Sequence, residues 1–471
     1  MSRSDRPTQT DPAATVDVAA LADLLDGRWK EYRRQIRDLY TDERFARIDD
    51  LSRAEQRQRT LDQCQALVDV GMVRRGFPGP DGQAPVPGGN VAGFEELVVH
   101  DPSLQIKAGV QWGLFGSAVL QLGTKRHHTD LLPPIVDLRV PGCFAMTETG
   151  HGSDVAAIAT TATYDPQAEE FIIHTPFEAA WKNYIGNAAE HGVAAVVFAQ
   201  LITKGVNHGV HAFYVPLRHQ HPDGSAGEFL PGVSGKDNGP KGGLNGVDNG
   251  MLAFNQVRIP RENLLNRYGD VAADGTYGSP IDSPGRRFFT MLGTLVQGRV
   301  SLAGSSTVAA KIALATAIRY AEQRRQFTGA DEHDEVVLLD YQRHQRRLLP
   351  RLARVYAAQF THHQLSDRFH QIFSGEHDTD ADRQDLETLA AAAKPLSTWL
   401  ALDVLQEARE ACGGAGFMAE NRLTGLRADF DVYATFEGDN NVLLQLVGKR
   451  LLTDFGREMA KMNVAGAVRY V

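Results

Sequence analysis

The sequence predicts an α+β chain, helical at both ends and rich in short strands between. Three observations predict it. From Val16 to about Gly123, apolar residues recur at three-to-four spacing, as in "VAALADLLDGRWKEYRRQIRDLY" and "LDQCQALVDVGMV". Near Pro141 the texture changes to short runs rich in β-branched and aromatic residues, separated by Gly, Pro, Asp and Asn. From about Pro284 long helical patterns return.

Taken in order, the first dozen residues are polar and predict a frayed end. The helical segment that follows is interrupted by "GFPGPDGQAPVPGGN", a loop by its Gly and Pro content. "TTATYD", "EFIIHTP", "VAAVVFAQLI", "GVHAFYVPL" and "GMLAFNQVRIP" read as strands, and "GVSGKDNGPKGGLNGVDNG" as a glycine-rich turn region between strands. In the last third, "RRFFTMLGTLVQGRVSLAGSSTVAAKIALATAIRYAEQRRQF" supplies small residues suited to close helix packing. Two further helical stretches carry Pro350 and Pro395, each of which removes a backbone donor and predicts a kink. "ACGGAGF" stops a helix. The expected organisation is a helical region over 1–140, a β region over 141–280 and an antiparallel helical bundle over 281–471.

The chain has 471 residues and 42% hydrophobic content, enough for a core shared by two to four domains. The formal charge of −9 argues against a nucleic-acid backbone as partner. Three cysteines, Cys64, Cys143 and Cys412, lie far apart, which predicts neither a disulfide framework nor a zinc site. A reducing compartment follows, and with no apolar leader and no S-K-L tail the expected location is cytoplasmic. No run of about eighteen apolar residues occurs, so no membrane span is expected.

Chemistry concentrates in a few stretches. In "FAMTETGHGSDV", Thr147, Thr149 and Ser153 offer hydroxyls, while Gly150 and Gly152 permit close backbone approach to a flat or charged ligand. "WKNYIGNAAEH" adds an indole, Trp181, and Gly186 after a strand. Arg299 lies among small and apolar helix residues and needs a carboxylate or an anionic ligand. Arg324 and Arg325 end a helix, where they complement its dipole or reach a pyrophosphate.

In "TFEGDNN", Asp439 or Asn440 is the expected N-cap, which leaves Glu437 in the loop before it. Gly438 allows a tight turn, and Phe436 and Tyr433 are apolar neighbours that raise a carboxyl pKa. On these residues alone Glu437 reads either as an ordinary loop carboxylate or as a general base. No H-E-x-x-H, G-x-S-x-G, phosphate loop or dinucleotide fingerprint is present. The adjacent pairs His127–His128 and His362–His363 read as surface residues.

In this order the pieces resemble the acyl-CoA dehydrogenase/oxidase superfamily, and its oxidase branch most closely. The resemblance rests on "GLFGSAVLQLGTKRH", "TETGHGSD", "TTATYDP", "HAFYVPLR", "DNGMLAFNQVRIPRENLL", "IRYAEQRRQF", "ACGGAGF" and "TFEGDN", from Gly113 to Asn440. It implies an N-terminal helical domain, a central β-domain and a C-terminal four-helix bundle, with FAD bound non-covalently between the last two. It also implies that Glu437 removes the α-proton of an acyl-CoA thioester while the β-hydrogen leaves as hydride to the flavin, giving a trans-2-enoyl-CoA.

Reoxidation by O2 with release of H2O2 marks the oxidase branch; an electron-transfer flavoprotein replaces O2 in dehydrogenases. By resemblance, Thr147 and Gly186 contact the flavin, with Ser153 a second candidate in the same loop. Arg324 and Gln342 reach the FAD diphosphate and adenosine side, and Gly413 and Gly414 approach FAD from a neighbouring subunit. Arg299 and Gly438 lie at the acyl-CoA site. A homo-oligomer, dimer or tetramer, and a role in fatty-acid β-oxidation are implied with them.

Three departures stand out. Trp181 is followed by Lys182 where the oxidase pattern has two adjacent tryptophans. Glu410 stands where many dehydrogenases have glutamine. The chain also has oxidase-like motifs on a dehydrogenase-like length. The alternatives are therefore a dehydrogenase and a truncated, non-catalytic acyl-CoA-binding relative.

Overall fold

A computed structural model describes residues 16–79, 82–293, 296–329 and 334–461. The polar start lies outside them. The N-terminal helices are α1 (Val18–Asp26), α2 (Lys30–Arg37), α3 (Arg53–Asp69), α4 (Pro87–Glu96) and α5 (Pro102–Ala108). After α5 the helix continues as a π-helical stretch over Gly109–Gly116, then α6 (Ser117–Leu122), α7 (Lys125–Asp130) and α8 (Leu132–Val136). Helix α3 starts on a capping box: Glu55 N–H donates to Ser52 Oγ at 3.3 Å, and Ser52 N–H to Glu55 Oε2 at 2.8 Å.

The Gly-Pro loop is shorter than the sequence suggests, because its last residues open α4. Pro87 has no N–H to lose in a first turn. Gly88 and Gly89 lie so close to the Trp29 and Tyr32 rings that an added Cβ would sit 2.5 and 2.7 Å from them.

The central region carries β1 (Gly142–Ala145), β2 (Thr161–Asp165), β3 (Glu170–His174), β4 (Lys182–Ile185), β5 (Ala194–Thr203) and β6 (Val206–Pro216). It continues with β7 (Arg218–Gln220), β8 (Ala226–Phe229), β9 (Val233–Asp237), β10 (Gly250–Phe254), β11 (Val257–Pro260), β12 (Asp270–Val271) and β13 (Tyr277–Gly278). Strand β5 organises the main sheet. β1 pairs parallel with its first residues and β2 parallel with its later ones, while β6 pairs antiparallel along it. β3 and β11 complete that sheet, and β4, β10 and β9 form a second. Strand β9 falls inside the stretch read as turn, where Gly235 and Lys236 pair with Leu252 and Met251.

The C-terminal region consists of α9 (Pro284–Gly293), α10 (Gln297–Gln323), a hairpin of β14 (Arg325–Thr328) and β15 (Glu335–Val337), α11 (Gln342–Phe373), α12 (Asp380–Ala411), α13 (Leu423–Asp431) and α14 (Asn440–Lys461). Helices α11 and α12 run through Pro350 and Pro395. Most of α10 is buried; Ala303, Gly304, Ser305, Ala309, Ala310 and Ala313 let neighbouring helices approach closely. The stretch Pro284–Gln323 is long and apolar enough to span a bilayer, but 72% of its most apolar window is buried inside the molecule. The architecture is the expected one, helices flanking a β-domain and ending in a bundle.

Buried and partly buried ion pairs join the layers. Lys107 of α5 reaches Asp248 at 2.6 Å and Asn187 at 2.7 Å. Arg57 of α3 reaches Asp237 at 2.8 Å. Arg33 of α2 meets Glu95 of α4 at 2.9 Å, and Glu95 lies 2.6 Å from His362 of α11. The surface reading of the histidine pairs is thus wrong for His127 and His362, which are buried. His127 Nε2 lies 2.9 Å from the Glu262 carbonyl. Sequence adjacency shows none of these partners, because each comes from a distant element.

Candidate active site

The site forms where the chain enters α14. After a 3₁₀ turn at Val432–Ala434, Glu437 and Gly438 take φ values of 54° and 100°. Two successive left-handed residues reverse the backbone, and the second is a glycine, which bears that conformation at little cost. Asp439 then caps α14, its Oδ1 accepting from the Asn441 N–H at 2.9 Å. Tyr433, fully buried, stacks on Phe430 at 4.1 Å and meets Phe436 edge-on at 4.9 Å.

Two cations from neighbouring helices hold the turn. Arg299 Nε of α10 donates to the Glu437 carbonyl at 3.4 Å. Lys394 Nζ of α12 donates to the Gly438 carbonyl at 2.8 Å and to Asn440 Oδ1 at 3.0 Å. Asn440 Nδ2 in turn donates to Thr398 Oγ1 at 3.0 Å.

The Glu437 carboxylate rests on Gly298 of α10, where an added Cβ would lie 2.7 Å from Oε2. It lines one wall of a cavity enclosing about 1020 Å³ of empty space, its open mouth included. The rest of the lining is mostly apolar, with Phe94, Leu97, Val110, Trp112, Leu302 and Phe436 prominent. Burial pushes the Glu437 carboxyl above the usual carboxylate range, and Arg299, then Lys394, hold that rise in check. The Glu437 backbone N–H donates to no acceptor among the described residues. A raised carboxylate and a free N–H at one apolar cavity are the parts needed to remove a proton next to a carbonyl and to receive the charge that develops on its oxygen.

The β region brings a second group of sequence-predicted residues to the structure. Thr147 follows β1, and its carbonyl accepts from Asn183 N–H at 3.0 Å while its hydroxyl has no partner among the described residues. Ser153 is exposed in the same loop. Gly186 is buried at the end of β4, and a Cβ there would lie 2.7 Å from Val110, itself a cavity-lining residue.

The loop is anchored by Glu148, buried and bonded to Thr160 Oγ1 at 2.6 Å, Ala159 N–H at 2.7 Å and Lys182 Nζ at 3.1 Å. Lys182, where the oxidase pattern has a tryptophan, is therefore an internal partner of Glu148; burial lowers its pKa to about 8 against that carboxylate's pull.

Arg299, Glu437 and Gly438 thus meet at one point. Arg324 and Gln342 are exposed, at the end of α10 and the start of α11, with the β14–β15 hairpin between them. Gly413 and Gly414 are exposed beyond α12, with nothing within 4 Å of an added Cβ. None of these four lines the cavity. Sequence reasoning missed Lys394 and Gly298. The available signal for Lys394 was a lone cation in the alanine-rich run "LAAAAKPLSTW".

Comparison with known proteins adds a second line. Residues 292–452 match the acyl-CoA oxidase C-alpha1 domain and residues 143–257 the acyl-CoA dehydrogenase middle domain. Peroxisomal acyl-coenzyme A oxidase 3 of Arabidopsis thaliana is 44% identical over 85% of this chain and 58% of its own length. Peroxisomal acyl-coenzyme A oxidase 1 of Cavia porcellus is 32% identical over 98% of this chain and 67% of its own. The crystal structure of acyl-CoA oxidase-2 of Caenorhabditis elegans, bound with FAD, ascaroside-CoA and ATP, superposes with a TM-score of 0.80 at 27% identity, over 95% of this chain and 66% of that one. This chain therefore spans from just over half to two thirds of the length of these relatives.

The relatives' names overturn the cytoplasmic expectation, since both curated relatives are peroxisomal. Sparse cysteines separate reducing from oxidising compartments and do not distinguish one reducing compartment from another.

Proposed function

Because this chain belongs to the acyl-CoA oxidase family, we propose that it is an FAD-dependent acyl-CoA oxidase converting acyl-CoA to trans-2-enoyl-CoA. The observation that carries this reading is Glu437, held at the wall of an apolar cavity with a raised pKa and a free backbone N–H beside it. This chain's residues fit a flavin: the Thr147 hydroxyl has no partner among the described residues, and Gly186 packs on Val110, a residue of the cavity wall. FAD, when bound, supplies the acceptor for the β-hydride and passes the electron pair to O2, which becomes H2O2.

The protein's own residues do the rest. The cavity holds the acyl chain and keeps water from the reacting carbons. Glu437 takes the α-proton onto its carboxylate. Its N–H donates to the thioester oxygen as negative charge builds there, and Arg299 fixes the carbonyl of the same residue. Thr147, Ser153 and Gly186 would hold the flavin, and Arg324 and Gln342 would reach its diphosphate and adenosine end. In a homo-oligomer, as the family resemblance implies, the exposed Gly413 and Gly414 would approach the FAD of a second subunit.

The match to an oxidase-specific helical domain favours O2 over an electron-transfer flavoprotein. A peroxidase-coupled assay of the aerated protein with a series of acyl-CoAs tests the proposal. Peroxide release in step with enoyl-CoA is expected. Flavin bleaching that persists in air would instead make the protein a dehydrogenase, and colourless protein that binds acyl-CoA would make it a binding relative.

A further inference from the structure

Resting on the reading of Glu437 as the base, we propose that Lys394 is a positioning residue for it: the α12 ammonium clamps the left-handed Glu437–Gly438 turn and places a positive charge beside its carboxylate. The geometry is specific. Lys394 is fully buried, yet among the described residues it faces no carboxylate at hydrogen-bond distance; its partners are the Gly438 carbonyl and Asn440 Oδ1. A buried cation held by two neutral oxygens retains a net field, whereas one in a contact ion pair is largely cancelled.

Asn440 passes the tie to Thr398, one turn along α12, and all three residues are buried. The turn is therefore fastened on both sides, by Arg299 on the Glu437 carbonyl and by Lys394 on the next carbonyl. Without the clamp, two consecutive residues at positive φ have no reason to hold one conformation.

The charged groups around Glu437 are few. Arg299 faces it from α10, with Glu387 of α12 beyond that arginine, and Lys394 faces it from α12. Asp439 follows in the loop and acts on Lys394, and Arg75 is the other charged residue lining the cavity. Burial draws the Lys394 pKa down to about 8, with Glu437 first among the charges that oppose the fall. Lys394 is therefore mainly charged at neutral pH.

The test measures the protonation midpoint of the Glu437 carboxyl by infrared difference titration of the holoprotein, with Glu437→Gln as the blank. Lys394→Met should raise that midpoint by about one pH unit, and Lys394→Arg should restore it. Asn440→Ala, which keeps the charge but slackens the clamp, should slow flavin reduction by a bound acyl-CoA at least about fivefold with the midpoint unmoved. A folded Lys394→Met protein with the wild-type midpoint overturns the field. Wild-type flavin reduction in Asn440→Ala overturns the clamp, and this variant decides the matter if the Lys394 variants do not fold. A wild-type protein that reduces no flavin removes the oxidase reading, while the infrared midpoints still decide the role of Lys394.

Discussion

Glu437 occupies a backbone conformation that L-residues seldom adopt, and its carboxylate lies where α10 offers no side chain at all. That combination makes Gly298 a sharp test of placement. Gly298→Ala sets a methyl 2.7 Å from Oε2 and must push the carboxylate aside. Flavin reduction by acyl-CoA should fall by about 10- to 100-fold, with the protein still yellow and folded; an unchanged stopped-flow rate would show that the carboxylate acts from elsewhere.

The pH dependence has a definite sign. Only ionised Glu437 takes the proton, and burial raises its pKa, so the rate should rise with pH through a midpoint above the roughly 4.3 of an exposed glutamate. A rate that falls as pH rises, or a midpoint at or below that of an exposed glutamate, would contradict it.

At this scale the motif "TFEGDNN" made legible a glutamate in the loop, the turn glycine and a cap at Asp439 or Asn440, all of them local. It could not announce Lys394 or Gly298, whose parts in the site exist only once α10 and α12 pack on the loop. His362 was misread for the same reason, because its carboxylate partner lies on α4.

Helix α4 links the cavity to the bundle. One face presents Gly89, Gly93 and Phe94 to the cavity; Glu95 points away, toward α2, α10 and α11. Gly304 of α10 is a glycine because any side-chain carbon there would collide with the Glu95 carboxylate. Glu95→Ala would leave Arg33 buried with Glu96 as its remaining carboxylate. Such a break should cost about 3 kcal/mol, read as a lower urea midpoint for the protein; an unchanged midpoint would mean that the pair contributes nothing to docking α4.

Element types were legible wherever periodicity was strong, as in α3, α10, β5 and β6. The start of α4 was not, because its glycines serve close approach to Trp29 and Tyr32, and a sequence shows those glycines only as breakers. Strand β9 was hidden likewise: it is short and mostly polar, it opens a glycine-rich stretch, and its pairing partner β10 lies beyond that stretch.

For the whole molecule, helices α12 and α14 turn a series of apolar side chains to solvent. Leu396 is 65% exposed, Leu452 74% and Leu451 64%. The homo-oligomer proposed above would cover such side chains. Light scattering during gel filtration should give a mass above that of one chain, and Leu396→Glu with Leu452→Glu should lower it; a monomeric parent protein would refute the homo-oligomer.

The central claim, that one half-buried carboxylate at the cavity wall starts the reaction, is met most directly by an anaerobic titration of the holoprotein with acyl-CoA, following the flavin band in wild type and in Glu437→Gln. The wild-type band should bleach stoichiometrically. The variant should bind acyl-CoA with its FAD retained and bleach at least about 10³-fold more slowly. Equal bleaching in the two proteins would contradict the account.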